Sequence, residues 1–312
     1  MISMVIPNYN GKKLLAKCLK SIYKNTNLPK EVVIVDNGST DGSVEFLEEN
    51  YPKIKIINNS KNFGFAKAVN QGIEISRNKY VAVINNDISL DKNWFKTIKS
   101  QIRKRNNKNV ACWCGKILTA NGKKIESKGL DFWICGKATN IENGKDYIKN
   151  NKEVPKYVFG ASGAAAVYEK RAVKKAGLFD EDFFAYQEDV DLSLRLQKMG
   201  FKTLYVPKAI CFHLGGATSD KMGNFRQRMV FKNWIYIIIK NYSFKTILRY
   251  LPQIALERLK NLYDLVVNTP VIKTIPDIGL TFIQIMLKFP KMIGKRSLIK
   301  EELLESLDKR YE

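Results

Sequence analysis

The first hundred residues predict an α/β fold, a parallel sheet covered on both faces by helices. Short β-branched apolar runs alternate with stretches whose apolar residues recur at helical spacing. The runs are apolar throughout instead of alternating with polar residues, as strands buried on both faces are. Polar clusters follow the strands at their carboxyl ends, the edge where sheets of this kind bind ligands.

Taken in order, Ile2 to Ile6 reads as a buried strand closed by Pro7, and Leu14, Leu15, Cys18, Leu19 and Ile22 mark a helix. Glu31 to Val35 is a second strand ended by Asp36-Asn37-Gly38-Ser39, and Val44 to Glu49 a short helix with Ser39 or Asp41 as its cap. Ile54 to Ile57 is a third strand. Phe65 to Ile75 is a helix with Ala66, Val69 and Ile73 on one face. Tyr80 to Ile84 is a fourth strand stopped by Asn85-Asn86-Asp87, and Trp94 to Ile102 a further helix.

Val110 to Val167 reads differently, as short strands and turns forming an antiparallel insertion beside the main sheet. Asn121-Gly122 between apolar pairs is a hairpin signal. The small side chains from Gly160 to Ala166 imply close approach of backbone or of a ligand. Beyond them the pattern gives a short helix from Arg171 closed by Gly177, and an amphipathic helix from Glu188 to Met199. A strand from Thr203 to Val206 precedes Pro207, and a run from Ala209 to Phe212 leads to His213.

The chain has 312 residues, enough for one large domain or one domain with a smaller appendage. Its 53 Lys+Arg against 30 Asp+Glu give a net charge of +23, which predicts anionic partners. Residues 221–300 hold fifteen Lys+Arg and three Asp+Glu, so more than half of that excess sits in a quarter of the chain. Phe225, Phe231, Trp234, Tyr236, Phe244, Tyr250, Phe282 and Phe289 interleave with those bases. Basic amphipathic helices lying on an anionic membrane face fit this pattern, as do helices packed on a catalytic domain with a solvated basic side. The division expected is residues 1–220 as one domain and residues 221–312 as a helical extension. Five scattered cysteines do not make a disulfide framework and suit a reducing compartment, and Cys112-Trp113-Cys114 lacks the second pair a zinc site needs. The first residues lack the basic start of an export signal, and no apolar run reaches the ~18 residues of a membrane span. A cytoplasmic protein, peripheral at the membrane face, is the expectation.

Several residues carry chemistry of more than one kind. Asp36 suits a nucleotide base or ribose, and equally caps the next helix. Asp87, beside two asparagines, offers a hard cation one carboxylate and leaves room for a diphosphate, or makes an Asx-turn. Glu188-Asp189-Val190-Asp191 opens a helix, where an ionised carboxylate is favoured and can serve as a general base, though acids there are common for stability alone. Phe183, Phe184 and Tyr186 wall a sugar ring or belong to the core. His213, the single histidine, is a metal ligand or a satisfied core residue. Lys61, Lys67 and Arg77 pair with a phosphate or stand in solvent.

In order along the chain, the segments Val5-Ile6-Pro7-Asn8-Tyr9-Asn10-Gly11, Val33 to Ser43, Asn62-Phe63-Gly64-Phe65-Ala66 with Asn70-Gln71-Gly72, and Asn85-Asn86-Asp87 occur together. Gly160 to Ala164, Gly177 to Glu181, Tyr186 to Leu192, and Tyr205-Val206-Pro207 with His213 complete the set. This pattern, over roughly residues 1–220, resembles the family 2 glycosyltransferases, most closely their rhamnosyltransferase-like branch. The resemblance implies a Rossmann-like GT-A fold, a mixed sheet flanked by helices, here followed by C-terminal basic amphipathic helices. It implies a nucleotide-diphosphate sugar donor, Mg²⁺ or Mn²⁺, and inversion at the anomeric carbon. By the same resemblance Pro7, Asn8, Tyr9, Asp36, Asn62, Gly64, Lys67 and Asn86 hold the donor nucleotide. Asp87 and His213 hold the metal, with Asn85 standing where many relatives have Asp. Asp189 is the catalytic base, and Ser162, Gly163, Tyr186 and Glu188 meet the sugar or acceptor. The acceptor expected is a glycan or a lipid-linked saccharide of the cell envelope, and rhamnose on thymidine diphosphate is the donor the branch suggests.

Other classes fit less well. A nucleic-acid-binding protein suits the charge, yet the most distinctive clusters are acidic and no nucleic-acid motif is present. A nucleotidyltransferase needs a Gly-rich basic loop after the first strand, and Asn8-Tyr9-Asn10-Gly11-Lys12-Lys13 is a poor one. A non-catalytic scaffold is disfavoured by the intact Asp36, Asp87, Asp189 and His213.

Overall fold

The structure, a computed structural model, describes residues 1–29, 31–104, 109–149, 152–214, 225–267 and 271–308. The boundary expected at residue 220 lies outside them. The first half alternates as its periodicity requires: β1 (Ile2–Asn8), α1 (Lys12–Tyr23), β2 (Glu31–Asp36), α2 (Ser43–Asn50), β3 (Lys55–Asn58), α3 (Phe65–Ile75), β4 (Tyr80–Ile84), β5 (Ile88–Leu90) and α4 (Trp94–Ile102). Strands β6 (Val110–Thr119), β7 (Ile125–Ser127), β8 (Leu130–Phe132), β9 (Ala138–Asn140), β10 (Lys156–Val158) and β11 (Ala165–Glu169) follow. Then come α5 (Lys170–Lys175), a 3₁₀ turn at Glu181–Phe183, α6 (Glu188–Lys198) and β12 (Lys202–His213). Five helices end the chain: α7 (Phe225–Asn241), α8 (Phe244–Arg249), α9 (Leu251–Val267), α10 (Val271–Gly294) and α11 (Glu301–Leu307).

One sheet organises these elements, in the order β10-β12-β6-β11-β4-β1-β2-β3, with β5 on β12 and β7 on β6. Strands β3, β2, β1 and β4 run parallel, and the register Asn8↔Asp36 and Val5↔Val83 brings their polar carboxyl ends to one edge. Alternation along each strand feeds two layers. Met4, Ile6 and Ile34 pack with Leu15, Leu19, Trp94 and Phe95 of α1 and α4. Val5, Val33 and Val83 pack on the other face with Val69, Ile73, Leu192 and Leu196 of α3 and α6. Both faces are covered, as the unbroken apolar strands require.

The middle region differs from the insertion expected. Strand β11 pairs antiparallel with both β4 and β6, so the region continues the main sheet, and only β8 and β9 form a separate pair. Strand β6 is buried along nearly its whole length between two neighbours, which local turn signals cannot show. Likewise Thr203–Val206 and Ala209–Phe212 are one strand, β12. Its register against β6 shifts between Tyr205 and Ile210, and Pro207 sits in that irregularity, where no ladder donor is needed. Asn121-Gly122 makes the expected hairpin between β6 and β7. Ser39 does not cap α2: its hydroxyl donates to Asp36, while Asp41 accepts the N–H of Ser43 at 3.1 Å and of Lys12 at 2.8 Å, holding the starts of α2 and α1 together.

The C-terminal helices form a third apolar cluster. Phe231, Trp234, Tyr236 and Ile237 of α7 pack with Leu130, Phe132, Phe183, Val190 and Leu194. A buried charge network accompanies it. Lys240 of α7, almost fully buried, donates to Asp180 at 2.6 Å and to Asp191 at 2.7 Å. Asp191 also binds Arg195, and Lys295, just after α10, binds Asp180. Burial opposes ionisation of both acids, but the cations around them hold each below the usual carboxylate range. Among the described residues no helix is long and apolar enough to cross a membrane.

Removing the ammonium leaves Asp180 with Lys295 and Asp191 with Arg195, each short of one buried cation. Lys240→Met is therefore expected to cost roughly 3 kcal/mol in a urea unfolding curve at neutral pH. The sign with pH follows from the depressed pKa values: the pairing stabilises the fold above the ordinary carboxylate range and is lost in acid. The deficit of the variant narrows as the pH falls below about 4, because protonation relieves the two acids.

Candidate active site

A cavity of about 700 Å³ opens at the carboxyl ends of β1 and β4. Its floor is a relay of side-chain amides. Asn86 donates to Asn8 at 2.7 Å, and Asn8 donates to Asp36 at 2.8 Å, which also accepts the Ser39 N–H and hydroxyl. Asn8 thus has both ends of its amide engaged. At the rim, Asn37 donates to the Gly64 carbonyl at 3.1 Å and is itself bonded by Asn59, fixing the turn that starts α3. Gly64 adopts φ +88°, and a Cβ there would stand 2.6 Å from Phe184, so only glycine lets these loops meet.

On the second wall, Asp87 follows β4 and His213 ends β12. His213 Nε2 lies 3.0 Å from Asp87 Oδ2, and Nδ1 lies 2.6 Å from Glu126 of β7. Burial alone lowers an imidazole pKa, but hydrogen bonds from the two carboxylates outweigh it and raise His213 to about 10. Glu126 fixes the ring and leaves Nε2 facing Asp87, the arrangement of an oriented metal-binding histidine. Asp87 Oδ1 is buried without a hydrogen-bond partner, and so is Asn85 Oδ1. An orphaned carboxylate oxygen beside an imidazole fits a hard divalent cation. Among the described residues no three His, Cys, Asp or Glu side chains form a complete cage, so a cation held here would take further oxygen ligands from outside these side chains.

The third wall is the start of α6. Asp189 Oδ2 accepts the Gly163 N–H at 2.8 Å and Oδ1 accepts the Val190 N–H at 2.8 Å. Desolvation raises its pKa above the ordinary value, and these backbone donors restrain the rise. Burial and the charges of Asp189 and Asp191 push Glu188 well above its usual range. Of the two neighbouring acids, the backbone donors favour charge on Asp189, while burial and neighbouring charge disfavour it on Glu188. Gly160 accounts for the run of small residues opposite: a Cβ there would lie 2.3 Å from Ser193 of α6.

The loop entering α6 is strained. Phe184, Tyr186 and Gln187 all have positive φ, at 65°, 68° and 69°. Phe184 (ψ −65°) sits in a γ-turn closed by the Ala185 N–H on the Phe183 carbonyl. Such backbone persists only where its surroundings hold it. Asn233 of α7, fully buried, supplies the hold: its amide donates to the carbonyls of Phe183, Ala185 and Tyr186 at 3.0, 2.9 and 2.6 Å. The Phe184 carbonyl accepts the Ala66 N–H, tying this loop to α3.

Of the residues to which the resemblance gives a role, Pro7, Asn8, Tyr9, Asn62, Gly64, Asn86, Asp87, Ser162, Gly163, Tyr186, Glu188, Asp189 and His213 line this one cavity. Two do not. Asp36 is fully buried beneath Asn8, so it orients that amide instead of facing the cavity. Lys67 lies over the Phe63 ring at 4.5 Å, and the ring holds it aside. Sequence reasoning missed Glu126 and Asn233. Glu126 reaches His213 only through the β6–β7 hairpin beside β12, and Asn233 is one asparagine within an amphipathic helix.

The sequence model described as "Glycosyl transferase family 2" matches residues 3–177. The chain is 25% identical over 240 residues to the N-acetylglucosaminyl-diphospho-decaprenol L-rhamnosyltransferase of Mycobacterium tuberculosis, covering 68% of this chain and 76% of that one. It is 28% identical over 234 residues to the poly-β-1,6-N-acetyl-D-glucosamine synthase of Staphylococcus epidermidis, covering 73% and 53%. The matches to the first three curated relatives span 36%, 43% and 53% of their lengths. Among solved structures, the mannosyltransferase PcManGT of Pyrobaculum calidifontis with GDP-Man and Mn²⁺ shares the fold, with TM-score 0.56 and 15% identity over 98% of this chain and 85% of that one.

Asn233→Ala removes the amide that holds three carbonyls of the strained loop. The variant is expected to fold, with a melting temperature lowered by a few degrees for the lost buried hydrogen bonds, and to lose turnover by about a hundredfold, the effect of misplacing a base by about 1 Å. A steady-state comparison of kcat and KM checks it, with kcat carrying the loss.

Proposed function

The chain belongs to glycosyl transferase family 2, and on that premise we propose that it moves a sugar from a nucleotide diphosphate to a hydroxyl of a glycan or lipid-linked acceptor, in one displacement that inverts the anomeric carbon. One observation carries this reading. Gly163 donates to Asp189, and the next residue, Ala164, accepts the N–H of Asn85, so a two-residue link joins the base to the Asn85–Asp87 turn. A general base and an orphaned carboxylate oxygen therefore share a single cavity.

Asp189 takes the proton from the acceptor hydroxyl as that oxygen attacks C1 of the sugar, and the bond from C1 to the diphosphate breaks. Glu188, its pKa pushed up by burial and by the neighbouring Asp189 and Asp191, stands beside it. Pro7, Asn8, Tyr9, Asn62, Gly64 and Asn86 receive the nucleotide, with Asp36 fixing the Asn8 amide from below. Ser162, Gly163 and Tyr186 line the sugar side. Asp87 and His213 would hold Mg²⁺ or Mn²⁺, which when bound neutralises charge on the leaving diphosphate. His213 must release its Nε2 proton to bind a cation, so loading weakens as the pH falls. Rhamnose as the transferred sugar is favoured by the likeness to the mycobacterial rhamnosyltransferase over three quarters of that protein. The likeness to an N-acetylglucosamine polymer synthase keeps that sugar as the competing donor.

Asp189→Asn is expected to lower transfer on the order of 10²- to 10⁴-fold while nucleotide binding survives; transfer near the wild-type rate would refute the base. The base must be ionised, so log kcat/KM rises with pH through a pKa above the ordinary Asp value, and Glu188→Gln, which mimics the neutral acid, leaves that limb in place. Thermal shifts with dTDP, UDP and GDP, each with Mn²⁺ or EDTA, test the donor site. One nucleotide should raise Tm only with metal, and Asp87→Ala should lose that dependence. Equal shifts with Mn²⁺ and EDTA would contradict the metal assignment.

A further inference from the structure

The C-terminal helices bury one side and leave the other apolar. On α10, Thr281, Ile285 and Met292 are buried against α7, while Ile283, Met286 and Leu287 are 55%, 70% and 75% exposed. On α9, Leu256, Leu259 and Tyr263 are 56%, 62% and 66% exposed at helical spacing. Among the described residues, fourteen of the twenty-two exposed large apolar side chains lie between 244 and 298, so the exposure belongs to this layer and not to the protein at large. An apolar concentration of that kind marks an interaction surface.

The charge around it selects the partner. Between residues 244 and 300, every exposed charged side chain that the structure describes is Lys or Arg, and there are eight of them. Glu257 of α9 is buried. A second copy of this chain would bring a second excess of positive charge against the first, and among the described side chains of this face no exposed acid is there to receive it. An anionic bilayer accepts both halves of the surface at once: apolar side chains enter the acyl boundary and the flanking bases meet the headgroups. No described helix is long and apolar enough to cross a membrane, which suits a layer lying along the interface.

We propose that the outer face of α9 and α10 docks flat on an anionic lipid surface. The same layer reaches the cavity. Arg258 of α9 stacks 4.4 Å from the ring of Trp234, which lines the cavity, and Phe282 of α10 meets Phe231 one turn of α7 away. Docking thus brings the cavity within one helix thickness of the lipid surface. This surface stands independently of the reaction proposed above.

The test is co-sedimentation of the full chain with vesicles of phosphatidylcholine alone or with about one-third phosphatidylglycerol. Binding is expected to the anionic vesicles and to weaken at about 1 M salt, where the Debye length falls to about 3 Å. Ile283→Glu and Leu287→Glu, both on exposed positions, are each expected to weaken binding about tenfold, as loss of one buried aliphatic side chain requires. Their nucleotide-induced thermal shift stays that of the wild type, so failure of docking and failure of the donor site are read separately. The proposal is overturned if the chain ignores anionic vesicles, if it binds neutral ones equally, or if both variants bind as the wild type does. It is also overturned if the chain is a dimer in sedimentation velocity that Leu287→Glu dissociates while vesicles are ignored.

Discussion

Lys240 sits almost without solvent between Asp180 and Asp191, and the arrangement of the active site depends on that placement. Asp191 lies in the first turn of α6, two residues after Asp189, and Asp180 precedes the 3₁₀ turn that leads into the strained loop. One ammonium therefore fixes both ends of the segment that delivers the base. Asn233, two turns earlier on α7, holds the middle of the same segment by its carbonyls. Helix α7 thus supports the segment that carries Asp189, although it lies outside residues 3–177, which the family model matches. The strain at Phe184, Tyr186 and Gln187 is stored against this support, which is where strained backbone is found when position matters more than stability.

The electrostatics divide between two regions. The chain carries +23 overall, yet the cavity is lined by Asp87, Glu126, Glu188 and Asp189, with Arg226 at its edge. Acids confined to the cavity keep different states: burial and neighbouring charge raise Glu188 well up, while backbone N–H groups temper the rise at Asp189. Positive charge within the cavity comes from His213, bonded to Asp87 and Glu126, and from Arg226, while on the C-terminal side Lys288, Lys291 and Lys295 gather on Asp182.

Much of this was legible in the sequence because it is local. Helices Phe65–Ile75 and Trp94–Ile102 and strand Tyr80–Ile84 begin and end where their periodicity and flanking residues say, and the polar carboxyl ends of the parallel strands point to the site before any coordinates do. What was not legible is pairing at a distance. The hydrogen bonding of β11 to β4 and β6 joins residues far apart in the chain, and turn signals alone suggested a separate insertion. Pro207 reads as a strand stop, yet a register shift absorbs it within β12. Asp36 carries the most recognisable strand-end carboxylate, and the register with Asn8 places it under the floor of the cavity. Glu126 and Asn233 lack any local signature, since each gains its role from a partner 87 residues away or 47 to 50 residues away.

The central claim is a single displacement driven by one carboxylate base, with no covalent sugar intermediate. The most direct measurement is the anomeric configuration of sugar released when water takes the place of the acceptor, read by proton NMR at first appearance, before mutarotation, with the donor that the nucleotide screen selects. The account predicts that the released sugar has the configuration opposite to the donor. Release with the donor's own configuration would contradict it.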